Sequence, residues 1–446
     1  MLIPRTANTH DPKAGDVLAP TTVRWRILAL LGGFSLVSYV CRVSLTVVGE
    51  PIMRQFHLSI VQLGWIFTSF LFTYTAFNTP SGAWTDRFGP RRVLTAAGLC
   101  WAGLGLLTAY LPGGVLLPAS WTLATFVVLR LALGVVEAPT YTGAAKTIAD
   151  WLPDSERGLA NALVMSGAFL GSAITAPAIS LLMVRVGWRN AVSLSSLIVF
   201  PLVTVWWLYA RDHPREHRGV NAAESAIISG RNGQATNESA ATAGWRMLLS
   251  SGQAWRLSAI YACQTYLGYL VIWWCYIYLV EVRHLSLVRG GFAAAAPFLL
   301  SIFTTPLAGY LSDACTTRLG PARGRRLVPM IALAAAGILA FACVRARSGR
   351  RAIILLSIGA ALGWMCEGPT WAAIVEVASP IAGTAGGFLN TGGNIGGALA
   401  ALATPWIARE FGWNAAFGTA SVLAFVGSAL WIGFDPGRPT GEGRLS

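Results

Sequence analysis

An arginine and a glutamate lie inside one strongly apolar stretch of the chain. Arg130 and Glu137 are the only charged side chains between residues 122 and 145, and a spacing of two helical turns puts both on one helix face, roughly 10 Å apart. A charged side chain at membrane depth costs on the order of 2.5–3.5 kcal/mol and therefore normally faces a polar interior. The pattern predicts either a structural ion pair or a movable pair that couples to a transported ion.

A third charge of this kind is Arg42, in the first apolar segment. It lies too deep for its side chain to extend easily to the membrane surface, so it needs a partner or an aqueous cavity. Because a guanidinium group can hold a carboxylate through two parallel hydrogen bonds, we predict that Arg42 binds an anion. The alternative is a structural role, in which Arg42 donates to backbone carbonyls of a neighbouring helix.

Glu137 is the candidate proton carrier. The five histidines all fall in tails or connections, at His10, His57, His213, His217 and His284. A nearby cation changes the proton affinity of a carboxyl group, so movement of Arg130 relative to Glu137 would switch proton binding. Glu367 is the other carboxylate well inside an apolar segment. It is either a second candidate for the proton or a hydrogen-bonded structural residue.

Long apolar segments must position these side chains. The 446 residues are 54% hydrophobic and only 12% charged, about half the charged fraction of soluble domains. Runs of about 20 residues, the length of a helix that crosses a bilayer, fall approximately at 27–48, 60–83, 93–110, 120–145, 158–184, 190–209, 256–280, 290–312, 326–344, 351–376, 383–407 and 414–434. We predict an all-α membrane protein with twelve transmembrane helices in two six-helix bundles, at 27–209 and 254–434, with a linker over 210–253 and tails at 1–26 and 435–446.

The distribution of basic residues indicates orientation. The net charge is +14, and most of the 33 lysines and arginines fall in alternate connections and in the tails. By the positive-inside rule both termini are cytoplasmic. The basic balance thus reports topology and attraction to membrane lipid, and we expect no nucleic-acid partner.

Enzyme and metal chemistry find no support in the sequence. The seven cysteines lie in or beside apolar segments without C-x-x-C spacing, and the chain contains neither H-E-x-x-H nor G-x-S-x-G. These cysteines are typical of small core residues. We therefore expect no catalytic residues, no metal and no cofactor.

The two blocks are related by an internal repeat. The run G-A-W-T-D beginning at Gly82 corresponds to G-Y-L-S-D beginning at Gly309, and each is followed by a basic loop. The run G-W-R-N-A at Gly187 corresponds to G-W-N-A-A at Gly412. Parallel repeats of six helices build one large class of secondary transporters, with the substrate site between the halves.

The run Gly82-x-x-x-Asp86-Arg87-x-Gly89-x-Arg91-Arg92 resembles the loop 2–3 signature of the major facilitator superfamily. Three further stretches are similar to its anion:cation symporter family, and nearest to the bacterial galactonate- and hexuronate-type proton symporters. They are Tyr39-x-x-Arg42, Arg130 with Glu137-Ala138-Pro139, and Asp150-Trp151-Leu152-Pro153-x-x-Glu156-Arg157-Gly158.

The resemblance implies roles for further residues. It makes Arg42 a contact of the substrate anion, surrounded by polar and aromatic side chains at Tyr39, Tyr74, Gln264, Thr370, Trp371, Asn390 and Asn394. It also implies a charge latch at the cytoplasmic helix ends, formed by Asp86, Arg87, Arg91, Arg92, Asp313 and Glu376. For the binding residues, hydrogen bonding between helices is an equal alternative.

Two positions depart from the family pattern. Cys41 stands where many relatives have an aspartate, which leaves Glu137 to carry protons alone or with Glu367. Ala168 stands where sugar-acid relatives can carry a glutamine, which favours a less hydroxylated or an aromatic acid.

We therefore expect a monomeric transporter of a bacterial inner membrane that imports a small organic carboxylate with protons by alternating access. The alternatives are an organic anion exchanger, an exporter, and a sensor that binds its ligand without moving it.

Overall fold

The computed structural model describes residues 19–113, 118–229, 248–377 and 382–435. The predicted tails lie mostly outside these ranges, as does the middle of the predicted linker. Within them the chain is almost entirely helical, and the long helices account for twelve passes through the bundle. The prediction of a twelve-helix, all-α membrane fold is confirmed.

The first half contains six of these passes. Its helices are α1 (Val23–Val47, continued by Gly49–Phe56), α2 (Ile60–Phe88), α3 (Pro90–Tyr110), α4 (Thr122–Glu137 and Pro139–Trp151), α5 (154–186) and α6 (188–197, continued by Val199–Tyr209). A linker helix, Ala222–Ser229, follows α6. Short 3₁₀ turns occur at Ala119–Trp121 and Pro214–Glu216.

The second half repeats the pattern. Its helices are α7 (Gly252–Ile277, with a π-helical end at Tyr278–Val282), α8 (Leu287–Leu319), α9 (Pro321–Arg345), α10 (Gly349–Trp364 and Glu367–Val377), α11 (382–411) and α12 (413–432). We call the end of the bundle that holds Val23, the linker helix and Phe434 the linker end, and the other the far end.

Gly187 and Gly412 separate α5 from α6 and α11 from α12. Their φ angles are +81° and +82°, inside otherwise continuous helices. Glycine adopts this conformation without the steric cost that a Cβ atom imposes. The two G-W repeats found in the sequence are therefore sharp helix-to-helix turns, made in the same way in both halves.

Close packing between helices relies on glycine in both halves. Gly167 and Gly171 of α5 lie against the backbone of α1 at Gly32 and Leu36. In the second half, α11 presents Gly392, Gly393, Gly396 and Gly397 to α7. Small residues at this spacing let helix backbones approach one another in a membrane.

The two halves contact each other in the far half of the bundle. The Phe67 ring of α2 stacks on Trp273 of α7, with centroids 4.8 Å apart and planes inclined by 16°. A Cβ atom on Gly64 would lie 2.5 Å from the carbonyl oxygen of Ala401, and one on Gly291 would lie 2.6 Å from that of Ala176. These contacts close the interface between the halves at the far end.

At the linker end, the corresponding parts of α2 and α8 are open. The side chains of Asp86 and Asp313 are each 71% exposed, and no heavy atom of another described helix lies within 4 Å of a Cβ built on Gly82 or Gly309. The bundle is therefore closed at the far end and open at the linker end.

Candidate functional site

Arg42 and Glu137 form a fully buried ion pair in the first half. Nη2 of Arg42 donates to Oε1 of Glu137 at 3.1 Å, and only 2% and 0% of the two side chains are exposed. The Ser38 hydroxyl, one helical turn before Arg42, donates to the same oxygen. Removing one member of such a pair would leave an uncompensated buried charge. The charge state of Glu137 and the interactions available to Arg42 therefore depend on each other.

Three aromatic rings surround the Arg42 guanidinium. Its Cζ atom lies 4.7 Å from the ring centroids of both Tyr39 and Phe70 and 5.0 Å from that of Tyr74. Cation–π attraction of this kind is stronger where the groups are shielded from water. The structure thus places the predicted residues Tyr39 and Tyr74 around Arg42.

Arg130 does not pair with Glu137, which corrects the pairing predicted from their spacing. Arg130 is 3% exposed, and no carboxylate of the described residues lies within ion-pair distance of it. Two turns of helix separate it from Glu137 along α4, whereas α1 brings Arg42 into direct contact. The neighbouring helix therefore decides the partner.

Three polar atoms of this cluster have no hydrogen-bond partner among the described residues. They are Nε of Arg42, Nε of Arg130 and Oε2 of Glu137, and all are buried. A buried polar group without a partner costs about 1–3 kcal/mol. The two arginines can therefore donate further hydrogen bonds to an anion, and Oε2 of Glu137 can accept a further hydrogen bond or take up a proton.

Glu367 gathers the predicted residues of the second half. Its Oε1 accepts hydrogen bonds from the Tyr261 hydroxyl at 2.6 Å and from Nε1 of Trp371 at 3.0 Å, and its Oε2 accepts from Nε2 of Gln264 at 2.9 Å. The Thr370 hydroxyl lies 3.4 Å from Oε1 of Gln264. Unlike Glu137, Glu367 has no ion pair with any described residue.

The two predicted asparagines lie on α11, which packs against α7. Asn394 is buried and Asn390 is partly buried. Gly393, the residue before Asn394, is in contact with the ring of Tyr261, which donates to Glu367. The asparagines are thus on the helix next to the Glu367 cluster, although the cluster's hydrogen bonds do not include them.

Glu137 and Glu367 are equivalent residues of the repeat. Glu137-Ala138-Pro139-Thr140 corresponds to Glu367-Gly368-Pro369-Thr370, and both α4 and α10 are interrupted at this motif. Each carboxylate is held from the first helix of its own half, by Ser38 and Arg42 of α1 or by Tyr261 and Gln264 of α7. The repeated E-x-P-T motif signals this relation in the sequence, whereas no local pattern marks Ser38 or Tyr261 as partners of the two carboxylates.

The two clusters face a common region between the halves. Tyr39 lies within electrostatic range of Arg42 and Glu137 in its own half and of Glu367 in the other. Tyr269 of α7 is likewise within range of both Arg42 and Glu367. The first half thus contributes Arg42 and Glu137 to this region, and the second half contributes Glu367.

The charges at the linker end of the first half differ from the predicted grouping. Asp86 is nearest to Nζ of Lys146, at 3.9 Å, rather than to Arg87, Arg91 or Arg92. Arg91 instead donates to the Trp207 carbonyl oxygen from Nη2 at 2.7 Å and fixes α3 to α6. Arg87 lies over the ring of its neighbour Phe88, and Arg92 is exposed.

In the second half, Arg325 joins the two predicted acidic residues. Its Nη1 donates to Asp313 at 2.6 Å, and its Nη2 donates to Glu376. The three residues come from α8, α9 and α10, so the contacts tie together helix ends within one half. We call this group the Arg325 clasp.

Twelve helices in two related halves, with charged side chains buried among them, are the architecture of a membrane transporter. Residues 30–401 match the Major Facilitator Superfamily, and the chain belongs to this family of transporters, which are not enzymes.

Similar proteins include carriers of organic anions. The chain is 29% identical to the probable sulfoacetate transporter of Cupriavidus necator, over 93% of this chain and 94% of the relative. It is 28% identical to the probable galactarate/D-glucarate transporter of Bacillus subtilis, over 92% and 90%. The predicted resemblance to sugar-acid transporters is confirmed.

Solved structures show the same fold. A bacterial homologue of the human lysosomal transporter Spinster, in an inward-facing and unoccupied conformation, superposes with a TM-score of 0.76 at 18% identity, covering 93% of this chain and 97% of that one. A D-xylose–proton symporter superposes with a TM-score of 0.73 at 16% identity, covering 92% and 97%.

Proposed function

We propose that this protein imports a small organic carboxylate together with protons across a bacterial inner membrane, with the linker end in the cytoplasm. The observation that carries the proposal is the ion pair between Arg42 and Glu137. The group best suited to bind a substrate carboxylate is held by a carboxylate of the protein, so substrate and Glu137 compete for one guanidinium.

Competition for Arg42 couples the substrate to a proton. When Glu137 takes a proton, its negative charge is lost, and with it the attraction between opposite charges that holds Glu137 to the buried Arg42 guanidinium. Arg42 can then bind the substrate carboxylate. After the site opens to the cytoplasm, release of the proton from Glu137 restores the ion pair and displaces the substrate. Each turnover moves the anion and the proton in one direction.

Arg130 contributes a second positive charge to the site. It is buried on the same helix as Glu137, on its far-end side, and makes no ion pair with a described residue. With Glu137 protonated, Arg42 and Arg130 together attract an anion that enters from the far end. In this role Arg130 promotes capture of the substrate and, once the site has opened to the cytoplasm, loss of the proton from Glu137.

The unpaired charge of Arg130 also favours a second candidate function, exchange of one organic anion for another. Even with Glu137 ionised, the first-half cluster has one net positive charge, from Arg42 and Arg130 against Glu137. That charge can hold an anion without a proton. An exchanger would move labelled substrate only when an anion is present on the opposite side of the membrane.

Binding measurements on Arg42 variants test the proposal. We would screen the purified protein by thermal shift against sugar acids and aromatic monocarboxylates. Arg42→Ala is expected to weaken binding of any hit at least tenfold, and Arg42→Lys by about tenfold, because lysine cannot form the two-pronged contact. Arg289→Ala, at an exposed arginine of α8, serves as the matched control. Unchanged binding by Arg42→Ala would refute the proposal.

A further inference from the structure

We propose that Glu367 makes the second half of the site a hydrogen-bond acceptor, so that the substrate has one carboxylate and a hydroxyl or ammonium group at its other end. A second acidic group on the substrate is rejected. The inference rests on the proposed function, in which Arg42 takes the substrate's carboxylate, and it specifies what the opposite side of the site recognises.

The hydrogen bonds of Glu367 define its chemical form. Three groups point at its oxygens, from Tyr261, Gln264 and Trp371. The indole N–H can only donate, and the Gln264 contact is made by its amide nitrogen, so Glu367 is arranged as an acceptor. Hydrogen bonds donated to a carboxylate stabilise its charged form. All three contacts therefore favour the charged form of Glu367, against the cost of burying that charge, and this form is the hydrogen-bond acceptor.

Glu367 retains capacity for a ligand. A carboxylate has about four acceptor positions. The two donors to Oε1 are Tyr261 and Trp371, while Oε2 receives only Gln264, so one position on Oε2 is unused by these contacts. The residue is partly exposed although it lies within α10. A donor group of the substrate can therefore reach it.

The charges of the two halves complement a molecule with dissimilar ends. Tyr39 and Tyr269 are each within electrostatic range of Arg42 and of Glu367, which places the two charged groups on either side of one region. With Glu137 protonated, Arg42, Arg130 and Glu367 leave one net positive charge. One carboxylate neutralises it.

A diacid fits this arrangement poorly. With one acidic group at Arg42, its other group would face Glu367, and like charges in a poorly hydrated site repel strongly. No lysine, arginine or histidine of the described residues pairs with Glu367 to offset that repulsion. We therefore expect specificity different from that of relatives named for galactarate, glucarate or sulfoacetate, each of which carries two acidic groups.

Matched ligand pairs test the inference. Galactonate and galactarate share a carbon chain and differ at the far end, which is a hydroxyl in one and a carboxylate in the other. The pair of 6-aminohexanoate and adipate compares an ammonium group with a carboxylate. Dissociation constants would be measured at pH 7.5 for wild-type protein, Glu367→Gln, Arg42→Ala and the exposed control Glu281→Gln.

We expect the wild-type protein and Glu281→Gln to bind at least one monocarboxylate about tenfold more tightly than its diacid partner, as repulsive discrimination predicts. A preference within the galactonate pair would identify the substrate's donor as a hydroxyl group, and a preference within the 6-aminohexanoate pair would identify it as an ammonium group. In Glu367→Gln the affinity for the diacid should rise about tenfold or more, because glutamine removes the like charge and its amide can donate a hydrogen bond to the second carboxylate.

Three outcomes would overturn the inference: equal or tighter binding of both diacids by the wild type, no binding of either monocarboxylate, or an unchanged ratio in Glu367→Gln. If that variant does not fold, the wild-type ratio decides alone. If the wild type binds both diacids at least as tightly as their monocarboxylate partners and that binding is lost in Arg42→Ala, this inference is refuted and the proposed function stands. Binding that is insensitive to Arg42→Ala would refute the proposed function itself.

Discussion

Glu137 and Glu367 occupy equivalent positions in the two halves, yet only Glu137 is paired with an arginine. Glu137 accepts from Arg42 at 3.1 Å, whereas Glu367 accepts from a tyrosine, a tryptophan and a glutamine. One repeated motif has thus acquired two electrostatic environments. The difference suits a transporter in which one carboxylate exchanges a proton and the other stays charged.

The close approach of α8 to α5 gives a prediction about closure at the far end. A side chain on Gly291 would meet the Ala176 backbone, which cannot move aside as a flexible side chain can. We expect Gly291→Val to hold the far end apart and to reduce uptake into proteoliposomes at least about tenfold, since overpacking typically costs 1–3 kcal/mol.

Gly418→Ala is the matched control, because no heavy atom of another helix, among the described residues, lies within 4 Å of a Cβ built at Gly418. It should transport at the wild-type rate. Wild-type uptake by Gly291→Val would show that contact at this point is not needed for the transport cycle.

The Arg325 clasp gives a prediction about stability. Arg325 bonds to Asp313 and Glu376 and joins the ends of three helices in one half. We expect Arg325→Ala to lower the free energy of unfolding by roughly 1–2 kcal/mol, because it removes the hydrogen bonds that a mostly buried guanidinium donates to two carboxylates. Thermal unfolding in detergent would measure this. Arg323→Ala, at an exposed neighbour on α9, should change nothing; equal effects of the two variants would argue against the clasp.

The linker helix gives a second prediction about stability. Glu224 is fully buried and accepts from the backbone N–H groups of Val23 at 3.2 Å and of Arg24 at 3.0 Å, so it caps α1 from another element. We expect Glu224→Ala to cost about 1–3 kcal/mol, because those N–H groups at the start of the helix lose their acceptor. Glu216→Ala, at an exposed glutamate nearby, is the control. A melting temperature shared by both variants and the wild type would contradict the prediction.

The sequence predicted the fold, and it singled out side chains that the structure gathers around Arg42 and Glu367, but it did not predict the partners of those side chains. Apolar length and the repeated Gly82/Gly309 and Gly187/Gly412 motifs indicate helices and their duplication directly. Pairing depends on which helices become neighbours. The spacing along α4 suggested Arg130 as the ion-pair partner of Glu137, whereas the structure shows that the partner is Arg42 of α1.

The charges at the linker end illustrate the same limit. Arg91 stands in a motif that implies a latch, yet its guanidinium donates to the Trp207 carbonyl oxygen. Asp86 lies closest to Lys146 instead. The predicted acidic residues Asp313 and Glu376 do come together, through Arg325. That arginine was not singled out, because nothing in its local sequence distinguishes it from the basic residues around it.

Transport by Glu137→Gln in proteoliposomes tests the central claim most directly. The substrate would be the carboxylate that binds the wild-type protein most tightly in the thermal-shift screen. Glutamine keeps the size of the side chain and cannot exchange a proton, so the variant should not accumulate substrate when an inward proton gradient is imposed. It should still exchange labelled for unlabelled substrate at a rate near that of the wild type. Accumulation at the wild-type level would contradict the account and assign the proton to another group.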